Sequence, residues 1–183
     1  MIFWIKSDLF RLFPFLYAFD CRLEMENTMN EQIIAAIEDA EKILVGIGES
    51  WENKDEAKAG YEKLKSLLEG KDFYILSVCS DGQIEKVGFE EKRVVTPLDE
   101  NDDKWDEYNK WLGRTLNRKL CVLELGVGLK YPQVIRWPFE KIVFINNKAK
   151  MFRVHNSLFQ TTEEMGEKCI GIKANPLEYV MQI

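Results

Sequence analysis

Apolar residues in this chain arrive in short, nearly continuous runs separated by stretches of helical period. The runs Ile43–Ile47, Phe73–Val78, Cys121–Leu125, Met151–Val154 and Lys168–Ile172 read as buried strands, with a shorter one at Arg93–Val95. Continuous apolar strands, as opposed to alternating ones, belong to sheets covered on both faces. Between them, Asn30–Lys42 carries Ile33, Ile34, Ile37 and Ala40 on one helical face. Asp55–Leu68 carries Tyr61, Leu64, Leu67 and Leu68 and stops at Gly70. Gln83–Val87 suggests a short helical turn. A further helix opens at the acidic cluster Asp99-Glu100-Asn101-Asp102-Asp103 and runs to about Lys119, with Trp105, Tyr108, Leu112 and Leu116 inward. Carboxylates in a first turn oppose the positive end of the helix dipole, which is enough to explain that cluster.

Ile142–Ile145 favours a strand by propensity, yet Ile135–Lys141 leads into it like a helix start; we expect a helix from about Pro138 to Ile145. A closing helix starts at Pro176. Strands alternating with helices predict an α/β, Rossmann-like three-layer sandwich on a mostly parallel sheet. In such sheets ligands bind beyond the carboxyl ends of the strands. The turn after Gly46, the Cys79–Gln83 turn, the turn at Gly126 and Asn156 each follow a strand run, so adjacent strands would bring all four to one crevice.

The 183 residues suffice for one domain with a real core. Residues 1–27 stand apart. Phe3, Trp4, Phe10, Phe13, Phe15, Tyr17 and Phe19 crowd this stretch, while Lys6, Asp8, Arg11 and Pro14 interrupt any signal-peptide or membrane-spanning pattern. It reads as a segment upstream of the true start, as a helix packed on the domain, or as a surface anchor, with residues 28–183 forming the domain proper. A net charge of −6 argues against a nucleic-acid partner. Cys21, Cys79, Cys121 and Cys169 stand singly and His155 is the lone histidine, so neither a zinc site nor a disulfide framework is expected. That cysteine usage fits a reducing cytoplasm.

The candidate chemistry lies in two glycine-bearing turns, Gly46-Ile47-Gly48-Glu49-Ser50 and Gly126-Val127-Gly128-Leu129. Glycine at a strand end permits a tight turn and brings backbone N–H groups close to a phosphate. The Gly46 turn is neither a dinucleotide fingerprint nor a P-loop: Trp51 stands where the third glycine would be, and no Gly-Lys-Ser/Thr follows. Alone it is equally a tight connection, and the pair of turns together favours a site. Cys79 and His155, both at strand ends, form a possible nucleophile–base pair, against the plainer reading of a buried filler and a half-exposed strand residue. Glu124, inside an apolar strand, needs a partner such as a backbone N–H or Arg136.

The Gly46–Ser50 stretch resembles the Gly-Ala-Gly-x-Ser turn of sirtuins, the NAD-dependent deacylases and ADP-ribosyltransferases. Tyr74–Gln83 resembles that family's strand ending in Asn-x-Asp. Leu123-Glu124-Leu125-Gly126-Val127-Gly128-Leu129-Lys130-Tyr131-Pro132 is similar to its Gly-Thr-Ser element, and Ala149–Asn156 to the strand whose terminal Asn meets the adenosine ribose. With Val134–Glu140, the likeness is to the zinc-free bacterial branch of protein ADP-ribosyltransferases, over roughly residues 31–180.

The resemblance implies NAD or ADP-ribose as ligand, with phosphates at Gly46, Ile47, Gly48, Glu49 and Ser50. The adenosine half would sit at Gly126, Val127, Gly128 and Asn156, and Asp81 with Gln83 would face the second ribose. The position of the family's catalytic Asn is Cys79, with Asp81 kept. The catalytic His or Gln should fall near Leu98, where no base stands, and the cofactor loop after Ser50 is cut to a few residues. The expectation is a degenerate nucleotide-binding domain without deacylation. One alternative is an active protein ADP-ribosyltransferase or NAD hydrolase using Asp81 or Glu49. Another is an interaction module whose aromatic N-terminus or Trp105/Trp111 face meets a protein partner.

Overall fold

A computed structural model of the chain describes residues 14–96 and 102–183. Two compact units divide it, Met1–Ala35 and Ala36–Ile183, and the boundary falls within the first helix, α1 (Pro14–Asp39). That helix is unbroken where we expected a start at Asn30, because residues 15–29 contain neither proline nor glycine to interrupt it. No helix among the described residues is long and apolar enough to cross a membrane.

The second unit holds the sheet. Its strands are β1 (Lys42–Ile47), β2 (Phe73–Ser77), β3 (Val94–Val95), β4 (Leu120–Leu125), β5 (Ala149–Val154) and β6 (Cys169–Ile172), all parallel, in the order β3-β2-β1-β4-β5-β6. The helices between and after them are α2 (Ala57–Leu67), α3 (Gln83–Lys86), α4 (Asp102–Gly113), α5 (Arg136–Ile145) and α6 (Pro176–Gln182). This is the expected three-layer α/β architecture. The chain starts at the centre of the sheet, runs outward through β2 and β3, then returns to β4 on the other side of β1. The order therefore reverses between β1 and β4, which opens a crevice beyond their carboxyl ends.

Strand alternation divides β1 between two cores. Leu44 faces the layer built on α4 and α5, where it meets Tyr74, Val122, Phe139 and Met151. On the opposite face α2 packs closely on α6: a Cβ on Gly60 would lie 2.6 Å from Leu177 Cδ2. Helix α6 starts as the sequence suggests, with Pro176 in its first turn and Asn175 Oδ1 accepting from Leu177 N at 3.0 Å.

Ile142–Ile145 is helical, as expected, because α5 presents Phe139, Ile142 and Val143 to the sheet at helical spacing. Helix α4 ends at Gly113, well before Lys119. Thr115 and Arg118 form successive turns there, and Asn146 Nδ2 donates to both of their carbonyls. Leu116 is consequently 53% exposed, not inward. Trp111 takes the inward place, packed on Tyr74 with its indole N–H donating to Asp72 Oδ1 at 2.8 Å. A Trp105/Trp111 face offered to a partner is thereby corrected, since Trp111 belongs to the core. Residues 99–101 of the acidic cluster lie outside the described residues.

Candidate functional site

Backbone hydrogen bonds continue past the strand ends and align the turns. Val78 N donates to Ile47 O (3.0 Å), Gly48 N to Leu125 O (2.9 Å), Gly126 N to Val154 O (2.9 Å) and His155 N to Ile172 O (3.1 Å). The four segments singled out in the sequence thus emerge side by side at one edge.

Gly46 lies within β1 itself, opposite Leu76 and Glu124, and the turn begins only at Gly48. A Cβ on Gly46 would sit 2.5 Å from Ile135 and 2.7 Å from Phe139, so this glycine admits α5 onto the sheet. Ile47 closes the strand with its side chain fully buried.

Gly48 and Gly126 interlock the two turns. A Cβ on Gly48 would come within 2.1 Å of Gly126 O and 2.3 Å of Val127 Cα. Gly126 adopts φ +68°, the left-handed region, and a Cβ there would meet Ser50 Oγ at 1.7 Å. Val127 is buried in the α4/α5 core. Glu49, in the 3-10 turn Glu49–Trp51, reaches across the junction. Gly128 N donates to its Oε2 at 2.9 Å and Lys130 N to its Oε1 at 3.3 Å. Backbone amides suited to an anion already hold a carboxylate. Ser50 Oγ is buried beside them without a hydrogen-bond partner.

A three-rung clasp joins the short link after β1 to the turn after β2. Glu52 Oε1 accepts from Ser80 Oγ (2.6 Å) and Ser80 N (3.3 Å), and those hydrogen bonds hold its carboxyl below the ordinary value. Asp81 Oδ2 accepts from Asn53 N (2.8 Å) and Gln83 Nε2 (2.9 Å), while Oδ1 accepts from Gln83 N (3.2 Å). Gln83 Nε2 also donates to Lys54 O at 3.3 Å. Both oxygens of Asp81 are therefore engaged within the protein. The Asn53 φ of +56° completes the tight link. Nothing in the sequence marked Glu52, Asn53 and Lys54, because the clasp depends on β1 and β2 being neighbours.

Cys79 Sγ donates to Gly48 O at 3.3 Å, and burial pushes the thiol up to about 11. It stays a protonated thiol at neutral pH. The Cys79–His155 pair does not exist. Strands β1 and β4 lie between β2 and β5, so the two ends are three inter-strand spacings apart, about 14 Å. His155 has another job. Its Nδ1 accepts from Ser157 N (3.0 Å) and Leu158 N (2.9 Å), and burial, with Arg136 nearby, lowers its pKa. Asn156 stands exposed on the loop that His155 shapes.

The same loop is tied to a buried ion cluster. Glu124 and Arg153 are register partners in β4 and β5 and pair in bidentate fashion, at 2.7 Å and 2.9 Å. Arg153 also bonds Glu140 Oε1 (2.7 Å) and Gln160 O (2.9 Å). The expected partner Arg136 is replaced by Arg153. Arg136 instead donates to Val127 O (3.3 Å) and Leu158 O (2.6 Å), joining the Gly126 turn to the 155–160 loop. Burial pushes the Glu124 carboxyl up against the pull of Arg153. Leu98 lies outside the described residues. Among the described residues no group of three or more His, Cys, Asp or Glu is placed to hold a metal ion.

Against known proteins, no family model matches this chain. A protein of Fusarium oxysporum f. sp. cubense, described as a probable bifunctional ADP-ribose hydrolase/ADP-ribosyltransferase, is 39% identical over 61 residues. The likeness is to a protein of ADP-ribose chemistry. It takes in 32% of this chain and 10% of that relative, so it is a partial match that leaves most of both proteins unpaired.

Proposed function

We propose that this protein binds ADP-ribose or a related nucleoside diphosphate, NAD included, in a compact sirtuin-like site that no longer supports deacylation. The observation carrying this reading is the junction of two glycine turns at the reversal point of the sheet, where Gly128 and Lys130 amides gather around an anionic group. The partial likeness to an ADP-ribose hydrolase/ADP-ribosyltransferase supports the same ligand class. The diphosphate would lie against the Gly128 and Lys130 amides on the outer side of the interlocked turns, the adenosine ribose near Asn156, and the second ribose toward Asp81 and Gln83.

Loss of the chemistry follows from three features. Cys79 offers a weak donor where an amide would position ribose and water. Asp81 spends both oxygens on Asn53 and Gln83. The clasped link Glu52–Lys54 leaves little chain to enclose a nicotinamide ring. On this reading ADP-ribose binds at least as tightly as NAD, since the nicotinamide end gains nothing. Isothermal titration with both ligands tests it. A clear preference for NAD would mean a working nicotinamide pocket, and binding of neither would end the nucleotide reading.

The name of the relative favours a second reading, an active NAD-consuming hydrolase or protein ADP-ribosyltransferase. Release of nicotinamide from NAD separates the two.

A further inference from the structure

A carboxylate and a phosphate oxygen make the same demand on a backbone N–H: both are charged acceptors, and both are met best by several converging amides. At the β1/β4 junction the amides of Gly128 and Lys130 converge on Glu49, a residue of the opposite turn. Both groups holding that carboxylate are backbone donors, so exchanging it for another anion would orphan no side-chain cation. Its Cβ-to-carboxylate arm can leave by side-chain rotation alone, while Gly48 N on Leu125 O and Trp51 N on Gly48 O keep the backbone of the turn in place. A second observation lies on the same turn. Ser50 Oγ, one residue on, is buried at the Gly126 position with no hydrogen-bond partner. A buried hydroxyl donor is costly to leave unmade.

Resting on the nucleotide reading above, we propose that the Gly128 and Lys130 amides form a phosphate subsite and that Glu49 is its displaceable internal occupant. Glu49 lowers the affinity of the native chain in two ways. The ligand must compete for the two amides, and a rotated Glu49 carboxylate still stands near an incoming diphosphate of the same sign. The occupant it yields to is a phosphate of a nucleoside diphosphate such as ADP-ribose.

The test is isothermal titration of ADP-ribose and of inorganic pyrophosphate into the wild type, Glu49→Gln and Glu49→Ala, with thermal melting to verify folding. Expected is at least a tenfold tighter ADP-ribose complex for Glu49→Ala, with Glu49→Gln between it and wild type, because a neutral carboxamide oxygen still occupies the amides but without the charge. If Glu49→Ala does not fold, Glu49→Gln alone decides, and its affinity must exceed that of wild type. ADP-ribose binding that is equal or weaker in the folded variants overturns the displacement by Glu49 and leaves the nucleotide reading standing. Pyrophosphate binding gained without ADP-ribose binding keeps the anion subsite and removes the nucleotide. No binding of either ligand to any variant overturns both.

Discussion

Arg153→Met isolates what the buried ion cluster contributes. Methionine keeps the length of the apolar stem but removes the guanidinium and its four hydrogen bonds, two to Glu124, one to Glu140 and one to Gln160 O. Glu140 is 27% exposed and can turn to water, whereas Glu124 is 1% exposed and cannot. A buried carboxylate stripped of its counter-ion costs about 3–5 kcal/mol. At roughly 2–4 °C per kcal/mol for a chain of this size, the melting temperature should fall by roughly 6–20 °C near neutral pH.

The pH dependence carries the stricter test. Burial already raises the Glu124 carboxyl above its ordinary value, and removing Arg153 takes away the main opposing pull, so it rises further. A carboxyl raised in the folded state contributes stability fully below its unfolded value and loses it as pH rises through the folded one. The deficit of Arg153→Met against wild type should therefore be largest at neutral pH and shrink as the medium is acidified toward 4.5. Glu124→Leu/Arg153→Met, which leaves no charge in the strand pair, should regain most of the loss. Urea unfolding at pH 7 and pH 5 measures all three chains. A deficit under about 1 kcal/mol at pH 7, an equal deficit at pH 5, or a double variant no better than the single would each refute the reasoning. Because Arg153 also holds Gln160 O, the proposed nucleotide site predicts that the single variant binds ADP-ribose more weakly, through the 155–160 loop.

Cys79→Asn and Cys79→Ala should both release no nicotinamide from NAD, like the wild type, because residues of a catalytic site act as a unit and one restored amide does not rebuild it. Turnover by wild type that vanishes in Cys79→Ala would make Cys79 catalytic, and turnover gained only in Cys79→Asn would mean the rest of the site is intact. A chain beginning at Met25 should remain soluble with an unchanged melting temperature; aggregation, or a drop of several degrees, would show the aromatic residues before it to be part of the core.

The central strands were legible because β1 and β4, buried on both faces, carry apolar residues without alternation. Their parallel order followed from the intervening helices. What the sequence could not supply was register. Glu124 plainly needed a partner, but only the pairing of β4 with β5 selects Arg153 over Arg136. Gly46 shows the same limit from the other side. A glycine at the end of an apolar run looks the same whether it turns the chain or admits a helix, and here it admits Phe139. Helix α4 was read too long because Leu116 continues the apolar spacing of Trp105, Tyr108 and Leu112, although Gly113 and the positive φ of Asn117 end the helical path first.

One row across the sheet explains why the edge of the proposed site is firm. Gly46, Glu124, Arg153 and Gly171 are successive register partners and share the face under α5. The outer two have no side chain, which lets Phe139 close on Gly46 and the Phe159 carbonyl close on Gly171, where a Cβ would stand 2.3 Å away. The inner two fill the space with an ion pair whose remaining donor holds Gln160 O. Arg136 adds a tie from the Gly126 turn to Leu158 O. Both sides of the proposed nucleotide site are thus braced from beneath by the sheet, and the Glu49 side chain is the part left to move. A site that needs one rotamer change and no loop ordering loses little conformational entropy on binding. On that proposal its affinity is governed by the competition between carboxylate and phosphate for the Gly128 and Lys130 amides, which a single substitution at position 49 shifts.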